Sequence, residues 1–153
     1  MVWVAISNRG ISKPFFQKSG TALTKEIYSN KCVRKKLLPF IQSDNEYLFW
    51  PDLETCHYAR YTMETFDELN INVVTKEFNP PSTPQLRPIE DFWGILKSDV
   101  YRHGWVASNH EQLKRRIQYC LDKMDLEVVC NMMNSVKQKL RKAKDFGVLS
   151  TVH

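Results

Sequence analysis

The hydrophobic positions of the chain change period several times, and each change marks an element. Residues 1–7 (MVWVAIS) and 12–16 are rich in β-branched and aromatic side chains and flank Asn8-Arg9-Gly10, a pattern that predicts an antiparallel hairpin. Thr24 can cap a helix through its hydroxyl. The stretch that follows, KEIYSNKCVRKKLLPFIQ, puts Val33, Leu37 and Ile41 on one face and turns Lys31, Arg34 and Lys35 outward. This predicts an amphipathic helix ended or kinked at Pro39. Residues 47–50 (YLFW) form a short apolar run closed by Pro51 and predict a buried strand, with Asp52 at its C-terminal end.

Tyr58, Thr62 and Phe66, flanked by Ala59, Met63 and Leu69, predict a second amphipathic helix, and residues 72–75 another brief strand. A helix between two strands implies a parallel crossover. Residues 79–88 contain Pro80, Pro81, Pro84 and Pro88, which no regular element tolerates, so this segment reads as stiff and extended, with a helix from Ile89 to about Val100 behind it. Ser108-Asn109-His110-Glu111 reads as a capping box ahead of a helix with a core stripe of Leu113, Ile117, Leu121 and Met124. Asp125 can cap a further helix carrying Val128, Met132 and Val136. No internal repeat is present. The order of elements predicts an α/β layer, helices packed on a mixed sheet, in which reactive groups gather beyond the carboxyl ends of parallel strands, where Asp52 falls.

Composition narrows the class. The chain has 153 residues, 42% of them hydrophobic and 25% charged, which suits an ordered globular domain and excludes a low-complexity chain. Its longest apolar stretch, residues 1–6, is far short of the roughly 20 residues needed to cross a bilayer, so the expectation is a soluble protein of the nucleus or cytoplasm, neither secreted nor membrane-bound. Cys32, Cys56, Cys120 and Cys130 form no CxxC and read as reduced thiols, and Cys56-His57 lacks the second pair that a zinc site needs. The net charge of +5 is unevenly spread: residues 113–144 carry +6 and the remainder −1. Lys114, Arg115, Arg116, Lys137, Lys139, Arg141 and Lys142 are therefore candidates for a phosphate backbone, or else a solvated helix face.

Two motifs carry a resemblance. PPSTPQLRPIEDFWGILK, residues 80–97, is similar to the signature of the Tc/mariner-like DNA transposases in its proline spacing and in Ile89-Glu90, Phe92-Trp93-Gly94 and Leu96-Lys97. WPDLETCH, residues 50–57, resembles that family's Asp-bearing segment, keeping the Asp and the Cys-His while losing its Asn, Ala and Pro. The opening MVWVAISNRGI resembles the family's second and third strands, and the sequence from Glu111 to Gly147 its closing helices.

The resemblance implies an RNase H-like catalytic domain in which three carboxylates hold two Mg2+ or Mn2+ ions for DNA phosphodiester cleavage and strand transfer. It implies catalytic and metal-ligating roles for Asp52, matching the second carboxylate, and Glu90, matching the third, with thirty-seven residues between them and Trp93 packed beneath. Read without it, Glu90 is an acid favoured at a helix N-terminus and Asp52 a turn former. No acidic residue precedes Glu26, so the first carboxylate and the central strand that bears it have no counterpart. The expectation is a partial catalytic core over residues 1–104, with basic helices 105–153 packed on the same domain, inactive alone. Residues 1–7 would pair directly with 47–50, or with another chain in a homodimer. DNA is the expected partner, with no membrane and no small-molecule cofactor. A domesticated, non-catalytic DNA-binding or protein-interaction module is the alternative, and a separate nuclease of the same fold ranks third.

Overall fold

In the computed structural model, which describes residues 1–42 and 46–147, the chain divides into two compact units. One comprises Met1–Ala5 and Ser12–Pro81; the other comprises Ile6–Ile11 and the described residues from 82 to 147. The boundary expected at 104–105 lies inside the second unit, and residues 148–153 of that expectation lie outside the described residues.

The predicted hairpin forms, but as two short ladders. Strand β1 (Val2–Trp3) pairs antiparallel with β4 (Phe15–Phe16), and β2 (Ile6–Ser7) with β3 (Gly10–Ile11) around the two-residue turn Asn8-Arg9. Trp3 stands opposite Phe15 and Ile6 opposite Ile11, so two residues on the first strand, Val4 and Ala5, face three on the second, Ser12, Lys13 and Pro14. That extra residue is a β-bulge, which accounts for the interruption. Ser12 closes it: its N–H donates to the Ala5 carbonyl, and its Oγ accepts from the Ala5 N–H, both at 2.8 Å. Gly10 takes φ +132°, which suits only glycine at this turn.

In the first unit, helix α1 spans residues 25–41. It begins as predicted at Thr24, whose Oγ1 accepts from the Ile27 N–H at 3.3 Å, but Tyr28–Leu37 adopts the wider π pitch, and the helix runs past Pro39 to Ile41. The Leu38 N–H bonds the Val33 carbonyl five residues back, the mark of that pitch. Tyr28, Cys32, Val33, Leu37 and Ile41 form the buried face, and Phe66 of helix α2 (Arg60–Glu68) completes the cluster with Ala5 and Ile71. The two predicted strands, residues 47–50 and 72–75, shrink to one parallel bridge, Phe49 to Val73, and the crossover helix between them is α2.

Direct pairing of residues 1–7 with 47–50 does not occur: no β-ladder joins them among the described residues. Each segment pairs instead on one edge: the Gln17 N–H bonds the Met1 carbonyl, and Phe49 uses its N–H and carbonyl on Asn72 and Val74.

The second unit is helical: α3 (Pro88–Val100), α4 (His110–Asp122) and α5 (Leu126–Phe146). Helix α3 packs against both α4 and α5, and the hairpin tip β2–β3 packs on α5. The capping box lies one residue later than expected. Asn109 Oδ1 accepts from the Gln112 N–H at 2.9 Å, while the Gln112 side chain reaches back to the Ser108 N–H. Asp125 caps α5 through the Glu127 N–H at 2.9 Å, as predicted. The proline-rich segment is not extended throughout, since Pro84–Leu86 forms a 3-10 turn, and α3 starts at Pro88, whose missing N–H costs nothing there. None of the described helices is long and apolar enough to cross a membrane.

Burial pushes the Cys32 thiol from 9.0 up to about 12 and that of Cys56 up to about 11. A folded-state value raised this way stabilises the fold fully below the unfolded value and loses that contribution as pH climbs from 9.0 toward the folded values. Tm should therefore drop between pH 8 and 10.5, and the drop should be smaller in Cys32→Ala; an equal drop in both proteins would contradict this account.

Candidate functional site

Asp52 belongs to the first unit, at the exit of the Phe49–Val73 bridge, and Asn79 fixes that exit. The Asn79 side chain is buried; its Oδ1 accepts from Trp50 Nε1 at 2.8 Å, and its Nδ2 donates to the Pro51 carbonyl at 2.8 Å and to the Tyr58 hydroxyl at 2.6 Å. Tyr58 in turn donates to the Val74 carbonyl at 2.9 Å. One polar side chain thus ties the loop to both sides of the parallel bridge.

From that loop the Asp52 carboxylate turns back on its own segment. Its Oδ1 accepts from the Glu54 N–H at 3.1 Å and contacts Nδ1 of His57, which also lies 3.3 Å from the Asp52 carbonyl. His57 is 5% exposed and lies against Tyr28, ring centroids 4.2 Å apart, so it is a buried packing histidine as well as the partner of Asp52. The Tyr28 hydroxyl is buried with no hydrogen-bond partner among the described residues, and burial raises its pKa well above the ordinary value.

Glu90 belongs to the second unit. It lies exposed in the first turn of α3, where the helix dipole favours an acid, and Asp91 beside it accepts from Lys139 Nζ at 2.8 Å. Trp93 is half-buried and meets Phe92 edge-on at 5.3 Å.

The basic candidates separate into two groups. Lys114 and Arg115 on α4 and Lys137, Arg141 and Lys142 on α5 are exposed. Arg116 is spent internally: its guanidinium donates to the Asp99 and Val100 carbonyls at 3.0 and 3.2 Å and lies over the rings of Trp105 and Tyr119. Lys139 is likewise engaged by Asp91. Both the Asp52–His57 pairing and the roles of Arg116 and Lys139 escape a reading by charge alone. The signal available was proximity: an acid five residues before a histidine, and an arginine among aromatic residues.

Comparison with solved structures places this arrangement in a known fold. The chain is similar to the catalytic domain of the Mos1 mariner transposase solved with raltegravir and Mg, at 17% identity and TM-score 0.77 over 99% of this chain and 75% of that one. The crystal structure of the catalytic domain of Mos1 mariner transposase matches at 16% identity and TM-score 0.76, over 99% and 74%. A Mos1 transposase paired-end complex with the left transposon end matches at 17% identity and TM-score 0.77, over 99% of this chain and 44% of that chain. No family model and no curated protein matches. The fold is therefore that of a mariner-type transposase catalytic domain, mixed α/β with a helical C-terminal region.

Mos1 catalytic-domain structures of this fold have been solved with Mg and with Mn. Among the described residues no three His, Cys, Asp or Glu side chains group where they could hold a metal ion, and one Asp52 oxygen already serves Glu54 and His57. The described residues do not fit a complete two-ion centre.

Asp52 and Glu90 thus differ in what they do for the fold. Asp52→Ala should cost about 1 kcal/mol by removing the acceptor for the Glu54 N–H and the His57 ring, read as a lower urea midpoint at unchanged m. Glu90→Ala should stay within about 0.5 kcal/mol of wild type. The reverse order would overturn this assignment.

Proposed function

We propose that the chain is a portion of a Tc/mariner-like transposase catalytic domain that engages DNA through its phosphate backbone and does not cut DNA by itself. The observation that carries the reading is the likeness to that fold over 99% of the chain, joined to the signature of residues 80–97, which sets Glu90 in the first turn of α3. Asp52 and Glu90 match two of that domain's carboxylates in the family motifs. Two carboxylates support no full two-metal displacement, because rate enhancement of that kind depends on ions held in fixed geometry on both the attacking and the leaving oxygen.

DNA binding rests on the exposed cations of α4 and α5, Lys114, Arg115, Lys137, Arg141 and Lys142. They point to backbone attraction by counterion release, without base readout. The domesticated binding module remains the second reading, favoured by one specific observation: the Asp52 carboxylate works as a structural acceptor in its own loop. Nuclear location goes with either reading.

The purified chain should bind duplex DNA of unrelated sequences with similar affinity, log K falling linearly with log salt. Supercoiled plasmid should stay intact in Mg2+ or Mn2+. Nicking that requires the metal and disappears in Glu90→Gln would instead establish an active nuclease.

A further inference from the structure

Beyond α4 and α5, the second unit has an open surface depression that lies outside the dense basic run and carries several polar side chains. It measures about 650 Å³ and is lined by Gly94, Lys97, Ser98, Tyr101, Arg102 and His103. Gly94, Lys97, Ser98 and Tyr101 recur at the three- and four-residue spacing of one face of α3, and Arg102 and His103 continue it into the 3-10 turn Arg102–Gly104. No acidic residue lines it.

Three features point to an external ligand. First, Gly94 sits inside a helix, where glycine is unfavourable, yet a Cβ there would meet nothing within 4 Å, and its φ is not positive. Neither packing nor backbone conformation calls for glycine, and the helix surface there is left bare. Second, His103 holds a left-handed φ of +59°, followed by Gly104 at +72°, a reversal that a non-glycine residue adopts at a cost. Third, the lining offers donors of the kind phosphate oxygens accept: an ammonium, a guanidinium, two hydroxyls and an imidazole. Arg102 is shared with Asp99 at 2.5 Å but stays 62% exposed, and Asp99 carries the acid charge nearest to it. Lys97 is exposed and enters no ion pair among the described residues.

We infer that this face of α3 is a phosphodiester-binding subsite, contacting the backbone of duplex DNA through Lys97, Ser98, Arg102 and His103 with the strand running over Gly94. The inference rests on the DNA reading above and adds a contact region that the basic helices do not contain. The open shape of the depression fits a passing strand better than an enclosed metabolite. An acidic peptide would use the same charges, but duplex DNA is favoured by the further exposed cations of α4 and α5 in the same unit.

The test uses the full chain and a fluorescent 20-base-pair duplex, titrated at several salt concentrations. Lys97→Gln/Arg102→Gln should weaken binding about tenfold or more and lower the salt slope by about two, one for each phosphate no longer neutralised. Gly94→Glu should weaken it comparably while raising thermal stability, since the new side chain has room and helix propensity improves; this keeps the inference testable if loss of the Arg102–Asp99 pair harms folding. Lys137→Gln/Arg141→Gln serves as the comparison. If that variant loses affinity while the α3 variants keep wild-type affinity and slope, the subsite is wrong and the DNA reading stands. If wild type binds no DNA, both fall. If the α3 variants lose polyglutamate binding but not DNA binding, the ligand is an acidic peptide and the inference is overturned.

Discussion

Burial of Tyr28 is the constraint on which the first unit depends. Its ring is fully buried, with Trp3 meeting it edge-on at 6.3 Å and His57 lying against it at 4.2 Å. Those partners come from the hairpin and from the loop after the parallel bridge, so one aromatic side chain of α1 joins three separate stretches of sequence. The stabilisation is hydrophobic area plus ring contact, large enough to keep the hydroxyl buried with no partner among the described residues. His57 is placed by that contact, and Asp52 is placed by His57. The loop that the family resemblance marks as catalytic is thus held by core packing on one side and by Asn79 on the other.

Helices stabilise this chain more than sheets do. Each ladder of the hairpin is two residues long, and the parallel pairing is a single bridge. A two-stranded ribbon is marginal in water on its own, so strand geometry here persists because its side chains enter helical cores: Ala5 in the first unit, and β2–β3 against α5 in the second. The Ser12 hydroxyl substitutes for a ladder bond at the bulge, a side-chain remedy for a backbone gap.

Much of this was legible in the sequence wherever one residue decides the outcome. Thr24 and Asp125 cap the helices expected of them, Val33, Leu37 and Ile41 are buried as their spacing requires, and α3 starts one residue before the expected Ile89. What could not be read depends on pairs. The π pitch of Tyr28–Leu37 is a choice of five-residue over four-residue bonds, and hydrophobic spacing near four fits both. The bulge is a count of residues on two strands at once, hidden until the register is known. Ser108 and Asn109 are both good caps, and only the backbone chooses between them.

The same distinction governs the charges. A run of cations predicts positive potential, but a cation contributes to a ligand only what its own fold leaves it. Arg116 has two carbonyls and two aromatic rings to satisfy, and the planar guanidinium suits that task better than an ammonium would. Lys139 neutralises Asp91, the neighbour of Glu90, and so reduces the acidity at the start of α3. Lys97, outside the dense run, enters no ion pair among the described residues and has a bare helix surface beside it. Ranking candidates by local charge density therefore gives weight to residues already spent within the fold and passes over one that is available, because density measures supply whereas binding depends on what remains after internal demand is met.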